Sequence, residues 1–188
     1  FAGDQHGPAD TLDPALYTAA IDYFRGRMFY GSLTRLTDSL GYEPELAEEV
    51  IPNENATVWT FKLRKGVEFH NGKTMTADDV IYTMNRHLGA NSISKASSLV
   101  SMIDRWEKVN DYEVRAVLNS PNADLPIALG TFHFKILENG VTDFEVNSWV
   151  GLLAPAKTPR AVIVRIGRVR NDFDDGTFVN AFIKALQP

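Results

Sequence analysis

Adjacent carboxylates at Asp78 and Asp79 are the first residues whose types and spacing could do chemistry. Two such groups can share acid–base work between them. Thr76 two residues upstream and the apolar residues Val80, Ile81, Met84 and Leu88 downstream argue for another role. They mark a helix start, where a capping hydroxyl and early acidic residues satisfy free amides and the helix dipole. Asp4, His6 and Asp10 offer one imidazole and two carboxylates to a metal, set in a leader rich in Gly and Pro, and a solvated loop is the better reading. His70 reads as a turn residue, and His87 as a helix-end residue favoured by the dipole. The sequence has no Ser-His-Asp set around a glycine elbow and no phosphate-cradling glycine loop. Nothing in it points to an enzyme or to a bound cofactor.

The elements that would hold these residues follow from periodicity and turn chemistry. Asp13-Pro14 is a helix start, with Asp13 as cap and Pro14 at the first helical position. Tyr17, Ile21, Phe24 and Met28 then share one helical face, which Gly31 ends. Leu33–Leu36 reads as a short strand before a turn at Asp38–Gly41. Pro44–Val50 reads as a brief helical or extended segment, the end of an acidic helix. Thr57–Arg64 alternates, with Trp59, Phe61 and Leu63 on one side, the mark of a half-buried strand. Val67 and Phe69 continue as a second short strand, and Asn71-Gly72 supplies a turn. Beyond the Thr76 helix, with Gly89 as its terminator, Asn91–Ser98 is a polar loop, followed by a short helix through Met102. Arg105–Val109 and Glu113–Leu118 form a hairpin about Asn110-Asp111. Asp124–Leu129 is a helix, Phe132–Leu137 a strand, Ala161–Val169 a strand and Phe178–Leu186 an amphipathic helix.

Composition narrows the function. The chain of 188 residues is 44% hydrophobic with a formal net charge of −5, a globular composition without the basic face of a nucleic-acid binder. Its one dense basic stretch, Arg160, Arg165, Arg168 and Arg170, reads as a strand with solvated arginines. With no cysteine, disulfides, thiolate metal sites and cysteine nucleophiles are excluded. No apolar run approaches the ~20 residues that span a bilayer. The start, Phe1-Ala2-Gly3-Asp4, is not a signal peptide, and a mature exported protein would begin in the same way.

One ordered set of motifs goes further. The chain carries Leu12-Asp13-Pro14, Pro44, Leu46-Ala47-Glu48, Trp59-Thr60-Phe61, Leu63-Arg64 and Gly66-Val67. Phe69-His70-Asn71-Gly72 and Thr76-Ala77-Asp78-Asp79-Val80 follow. In order and spacing this set, from about Thr11 to Leu137, resembles the family 5 extracellular solute-binding proteins, the peptide-, dipeptide- and nickel-binding subunits of bacterial ABC importers. The resemblance implies an α/β fold: the first lobe of a type II periplasmic-binding-protein-like molecule, with a mixed sheet and an extra subdomain. Residues 1–30 would begin the first-lobe core, 31–130 form the additional subdomain, and 131–188 return to the core. It implies non-catalytic capture of an oligopeptide or dipeptide between two lobes and delivery to an ABC permease in the membrane. The location would be periplasmic, or lipid-anchored on the outer face of the cytoplasmic membrane. The alternative is an interaction module, a single lobe that self-associates.

Site residues also follow from the resemblance. In peptide-binding relatives the backbone just after the L-D-P motif pairs with the solute like an added strand. That maps onto Tyr17, Thr18, Ala19 and Ala20, which by themselves read as a plain first helical turn; both readings stand. A cleft arginine of nickel-binding relatives maps onto His133, and a cleft aromatic maps near Ser97, departures that point away from nickel. His133, between two phenylalanines, also reads as a solvent-facing strand residue. Two features depart from the family. The second lobe is missing, and Trp149-Val150-Gly151-Leu152-Leu153 stands where a G-T-G-P segment is expected. Val169–Phe173 and Val179-Asn180-Ala181 echo later segments at compressed spacing. The chain is therefore read as a truncated, internally deleted or incompletely defined form of a longer protein.

Overall fold

The computed structural model describes residues 11–142, together with the backbone of two further strands, 145–153 and 160–168. A 3-10 turn at Pro14–Leu16 leads to helix α1, Ala20–Phe29, and to a hairpin of β1, Thr34–Leu36, and β2, Tyr42–Pro44. Then come β3, Ala47–Pro52, and β4, Val58–Leu63, followed by α2, Ala77–Asn85. A second 3-10 turn, Ser97–Val100, precedes β5, Ile103–Asn110, and β6, Glu113–Leu118. The helix α3, Leu125–Leu129, and the pair β7, Glu145–Leu153, and β8, Arg160–Arg168, complete the described elements.

The core rests on a four-stranded sheet in the order β3-β4-β6-β5. Every described strand pairing is antiparallel. On β4 the period of two is realised: Trp59, Phe61 and Leu63 are buried, and the residues between them are only half-buried. Paired β6 presents Val114, Ala116 and Leu118 to the same core, and β5 adds Ile103 and Trp106. Helix α2 lies on this face through Val80 and Met84. Its start at Thr76 is fixed by Asp79, whose carboxylate accepts from the Thr76 amide at 2.8 Å and hydroxyl at 3.1 Å. Lys73 Nζ lies 2.8 Å from the same carboxylate. Burial opposes the charge on Asp79, but Lys73 and the amides of Asn139 and Thr76 outweigh it and hold the carboxyl below its usual range. The paired aspartates are thus a helix start, with Asp78 bonded to Lys108 at the surface.

Several sequence expectations need correction. Tyr17 precedes the helix. Asp13 caps only the 3-10 turn, accepting from Ala15 N at 3.0 Å, while α1 is capped from within by Asp22. That buried carboxylate accepts from the amides of Ala19 at 3.3 Å and Thr18 at 3.5 Å. The face of α1 also differs: Phe24 and Met28 are exposed, and Ile21, Asp22 and Gly26 are buried. Of the two readings for Pro44–Val50 the extended one is found and the acidic helix end is not, because its main chain pairs with β1 and β4. Val67 and Phe69 make no strand beyond the single bridge Glu68–Thr74 around the Asn71-Gly72 turn. The strand expected at Phe132–Leu137 is not formed: Phe132 and His133 lie in a turn, and among the described residues Phe134–Leu137 makes only the bridge Ser32–Lys135. His87 is buried and neutral, not a charged helix end, since burial and then neighbouring Arg86 and His133 push its pKa down to about 4. The leader carrying Asp4, His6 and Asp10, together with Arg170 and the helix expected at Phe178–Leu186, lies outside the described residues.

Gly26 shows why α1 sits where it does. A Cβ there would lie 2.6 Å from Tyr17 Cε2, so the absent side chain lets the fully buried Tyr17 ring lie across the helix. Gly26→Ala gains about 1 kcal/mol of helix propensity but forces a buried ring to move, at about 1–3 kcal/mol. The variant is expected to unfold at lower urea than the parent. A midpoint at or above the parent's would show that the ring yields freely.

Candidate ligand-binding site

Tyr17, Thr18 and Ala19 form an extended bridge between the 3-10 turn and α1. The backbone angles are φ −56° and ψ 132° at Tyr17 and φ −109° and ψ 152° at Ala19. The plain helical turn is therefore not formed at these residues; only Ala20 is helical, as the first residue of α1. Tyr17 is buried, Ala19 half-buried, and Thr18 and Ala20 exposed. One edge of the bridge is occupied: His133 Nε2 donates to the Tyr17 carbonyl at 3.0 Å, and Ala19 N points to Asp22. In an extended chain the carbonyl of one residue and the amide two residues on share an edge. Here these are the Thr18 carbonyl and the Ala20 amide. Among the described residues neither has a hydrogen-bond partner.

His133 is half-buried and lies between Tyr17 and Tyr23, with ring centroids 6.4 and 5.5 Å away. Its Nε2 is committed to the main chain, so it positions the bridge. It is not a strand residue facing solvent. Phe132 next to it stacks on Tyr23 at 4.9 Å, which adds an aromatic wall that the sequence reading did not include. Ser97 is half-buried at the start of the second 3-10 turn, its amide bonded to the Ser94 carbonyl. The loop before it reaches the 3-10 turn that precedes the bridge, through Lys95, whose amide donates to the Ala15 carbonyl at 2.8 Å. The structure thus joins His133 directly to Tyr17, and Ser97 only through its neighbouring loop.

Asp13 also anchors this region. Its two carboxylate oxygens lie 2.9 and 2.6 Å from Arg86 Nη1 and Nη2. No sequence signal links residues 13 and 86. The Tyr17 hydroxyl donates to the Leu12 carbonyl, and burial, with the nearby Tyr30 and Asp22, raises its pKa and keeps it protonated. His87 Nδ1 lies 2.7 Å from Ser94 Oγ, a pairing of the kind that activates a nucleophile. Here both residues are buried, and the same Oγ accepts from Ala96 N at 3.1 Å. The pair closes the 91–98 loop against α2. No group of three or more metal-ligating side chains exists among the described residues. The arrangement offers main-chain hydrogen bonds beside aromatic walls, which suits holding an extended ligand.

A family model described as bacterial extracellular solute-binding proteins, family 5 Middle, matches residues 41–180. The chain is 36% identical over 87 residues to the oligopeptide-binding protein AppA of Bacillus subtilis (strain 168), covering 46% of this chain and 16% of that protein. It is 31% identical over 143 residues to the di/tripeptide-binding protein 2 of Pseudomonas aeruginosa (strain UCBPP-PA14), covering 64% of this chain and 27% of that one. Among solved structures, AppA from Bacillus subtilis in complex with a nonapeptide superposes with a TM-score of 0.62 at 28% identity. That match covers 68% of this chain and 25% of that one. The chain thus spans between 16% and 27% of the length of these proteins.

Proposed function

Because the chain belongs to the family 5 bacterial extracellular solute-binding proteins, with the α/β fold of type II periplasmic binding proteins, we propose that it captures short peptides for an ABC importer. The solute would lie between this lobe and a second lobe supplied by sequence outside these 188 residues. A membrane permease would receive it on the outer side of the cytoplasmic membrane, in the periplasm or beside a lipid anchor. Among the described residues no helix is long and apolar enough to cross a membrane. We assign residues 1–30 and 131–188 to the first-lobe core and 31–130 to the added subdomain. Ser32–Lys135 pairing at the junction of these segments supports that division. Capture proceeds without turnover.

The observation that carries this reading is the open edge at Thr18 and Ala20. Main-chain pairing holds a peptide without reading its side chains. His133 fixes the bridge from the other edge, so little ordering is needed when the peptide arrives. Two similar proteins, an oligopeptide-binding and a di/tripeptide-binding one, agree with a peptide solute.

Ala20→Pro tests it. Position 20 opens α1, where proline is favoured, and Ala19 already has the extended backbone that a following proline requires. The substitution removes one amide hydrogen and little else. A tripeptide is expected to bind the variant about three- to tenfold more weakly than the parent, the worth of one hydrogen bond, with the thermal midpoint unchanged. Equal tripeptide affinity for the two proteins, measured by calorimetry, would remove the edge from the binding site.

A further inference from the structure

A second feature lies on the far end of α1 from the open edge. The side chains of Arg27, Arg35, Glu45, Phe132 and Lys135 line a concave pocket, with Gly130 in its wall. Three of these are cations, in a chain whose net charge is −5. Lys135 is the unusual member. It is only 6% exposed, and among the described residues its ammonium bonds only to Ser32 Oγ, at 2.8 Å. Among the described residues no carboxylate lies within ion-pair distance of Lys135 or of Arg27. A buried ammonium with no carboxylate in direct ion-pair contact is costly and needs compensation.

The carboxylates nearby are already committed. Glu45 Oε2 accepts from the Ser32 amide at 2.8 Å. Glu43 pairs with Arg35 at 2.8 Å on the exposed rim, with about half of each side chain in solvent. Counting both, three cations face two carboxylates, which leaves one positive charge. Burial, followed by the like charge of Arg27, lowers the Lys135 pKa, and Glu45 only partly opposes this.

We infer that this pocket is a binding site for the carboxylate of a small solute, held by Lys135 from below and by Arg27 and Arg35 from the rim. One residual positive charge matches a monoanion. Planar guanidinium groups fit a planar carboxylate, and the Phe132 ring provides an apolar wall for the group that carries it. The site shares the Phe132 ring with the aromatic wall beside the bridge, but its cations are not part of the Thr18–Ala20 edge, and it does not depend on the peptide reading.

The test uses the 188-residue chain and simple probes: sodium acetate, acetamide, phosphate and, as the ionic-strength control, sodium chloride. The amide signals of Gly130 and Lys135 are followed by two-dimensional NMR. Acetate is expected to shift them to saturation in the millimolar range, while acetamide and chloride do not. Arg27 and Arg35 are exposed, so Arg27→Gln and Arg35→Gln leave the fold intact; each is expected to weaken acetate binding about tenfold, the worth of one charge-assisted contact. Arg105→Gln, on an exposed strand away from the pocket, should change nothing. Lys135→Met should abolish the acetate response without loss of thermal stability, since it removes a buried charge. Shifts that chloride reproduces, or that saturate in Arg27→Gln and Arg35→Gln at the same acetate concentration as in the parent, would overturn the site. Saturation by phosphate with no response to acetate would overturn the carboxylate assignment. Acetate lacks a peptide main chain, so these outcomes stand whatever Ala20→Pro shows.

Discussion

Asp13→Ala is expected to lower the unfolding free energy by about 3–5 kcal/mol, the range for removing one partner of a buried ion pair. An exposed pair would be worth at most about 1 kcal/mol, so burial decides the size. The Asp13 side chain is 6% exposed and that of Arg86 19%. Both guanidinium nitrogens meet both carboxylate oxygens, the geometry in which such pairs are strongest. Asp13 also caps the Pro14 turn through Ala15 N, worth about 1 kcal/mol by itself. Asp13→Asn retains an oxygen for that cap and loses the charge, so it should fall between parent and Asp13→Ala. The double variant Asp13→Leu, Arg86→Met removes both charges of the pair and should recover much of the loss. Urea unfolding of the four proteins checks this. A loss under 1 kcal/mol in Asp13→Ala would mean that water reaches Arg86 and the pair is a surface one. The anchor has a functional side, because it ties the turn before Tyr17 to α2 across 73 positions of sequence. An untied bridge would present its open edge in many orientations and hold a peptide less tightly.

Where local chemistry decides the structure, the sequence was readable. The β4 alternation, the β5–β6 hairpin and the Thr76–Asp79 helix start each depend on residues within a few positions of one another, and each is found. The start of α1 was misplaced because two aspartates compete as caps. Asp13-Pro14 satisfies the local rule, yet Asp22 has the amides of Thr18 and Ala19 to satisfy and sets the true boundary. Phe132–Leu137 shows the reverse failure. Its Phe134 and Ile136 both reach the core, but among the described residues its main-chain neighbours are only Gly31 and Ser32. Periodicity reports which side chains are buried and is silent on what the backbone meets. The candidate site was half visible. The family resemblance pointed to Tyr17–Ala20, Ser97 and His133 as candidates, and no sequence signal gave the contact between His133 and the Tyr17 carbonyl. The cationic pocket draws on positions 27, 35 and 135, and no local pattern joins them.

Acid should destabilise the protein in a window that belongs to His87. Unfolded, this histidine takes its proton near pH 6.5; folded, it resists protonation down to about 4. Burial is the main cause. The ring packs edge-on to Phe134 at 4.7 Å, and the charges of Arg86 and His133 oppose a further proton more than Asp13 invites one. Between the two values the unfolded chain binds a proton that the folded chain refuses, so stability rises with pH there. The contribution is complete above pH 6.5, falls as pH drops through the window and levels off below about 4. Its full size is about 3 kcal/mol. Asp79 acts in the same direction but elsewhere: its folded pKa is lowered from 3.8, so what it contributes is lost only below that pH. The two windows can therefore be separated. His87→Gln keeps a polar group toward Ser94 and cannot take up a proton. The difference in unfolding free energy between parent and His87→Gln, measured from pH 7 to pH 4, cancels every group the two share. It is expected to change by about 3 kcal/mol across this interval, to the parent's disadvantage at the acid end. A difference that stays constant with pH would place the His87 ring in contact with solvent and return it to the exposed helix end that its position after α2 suggested.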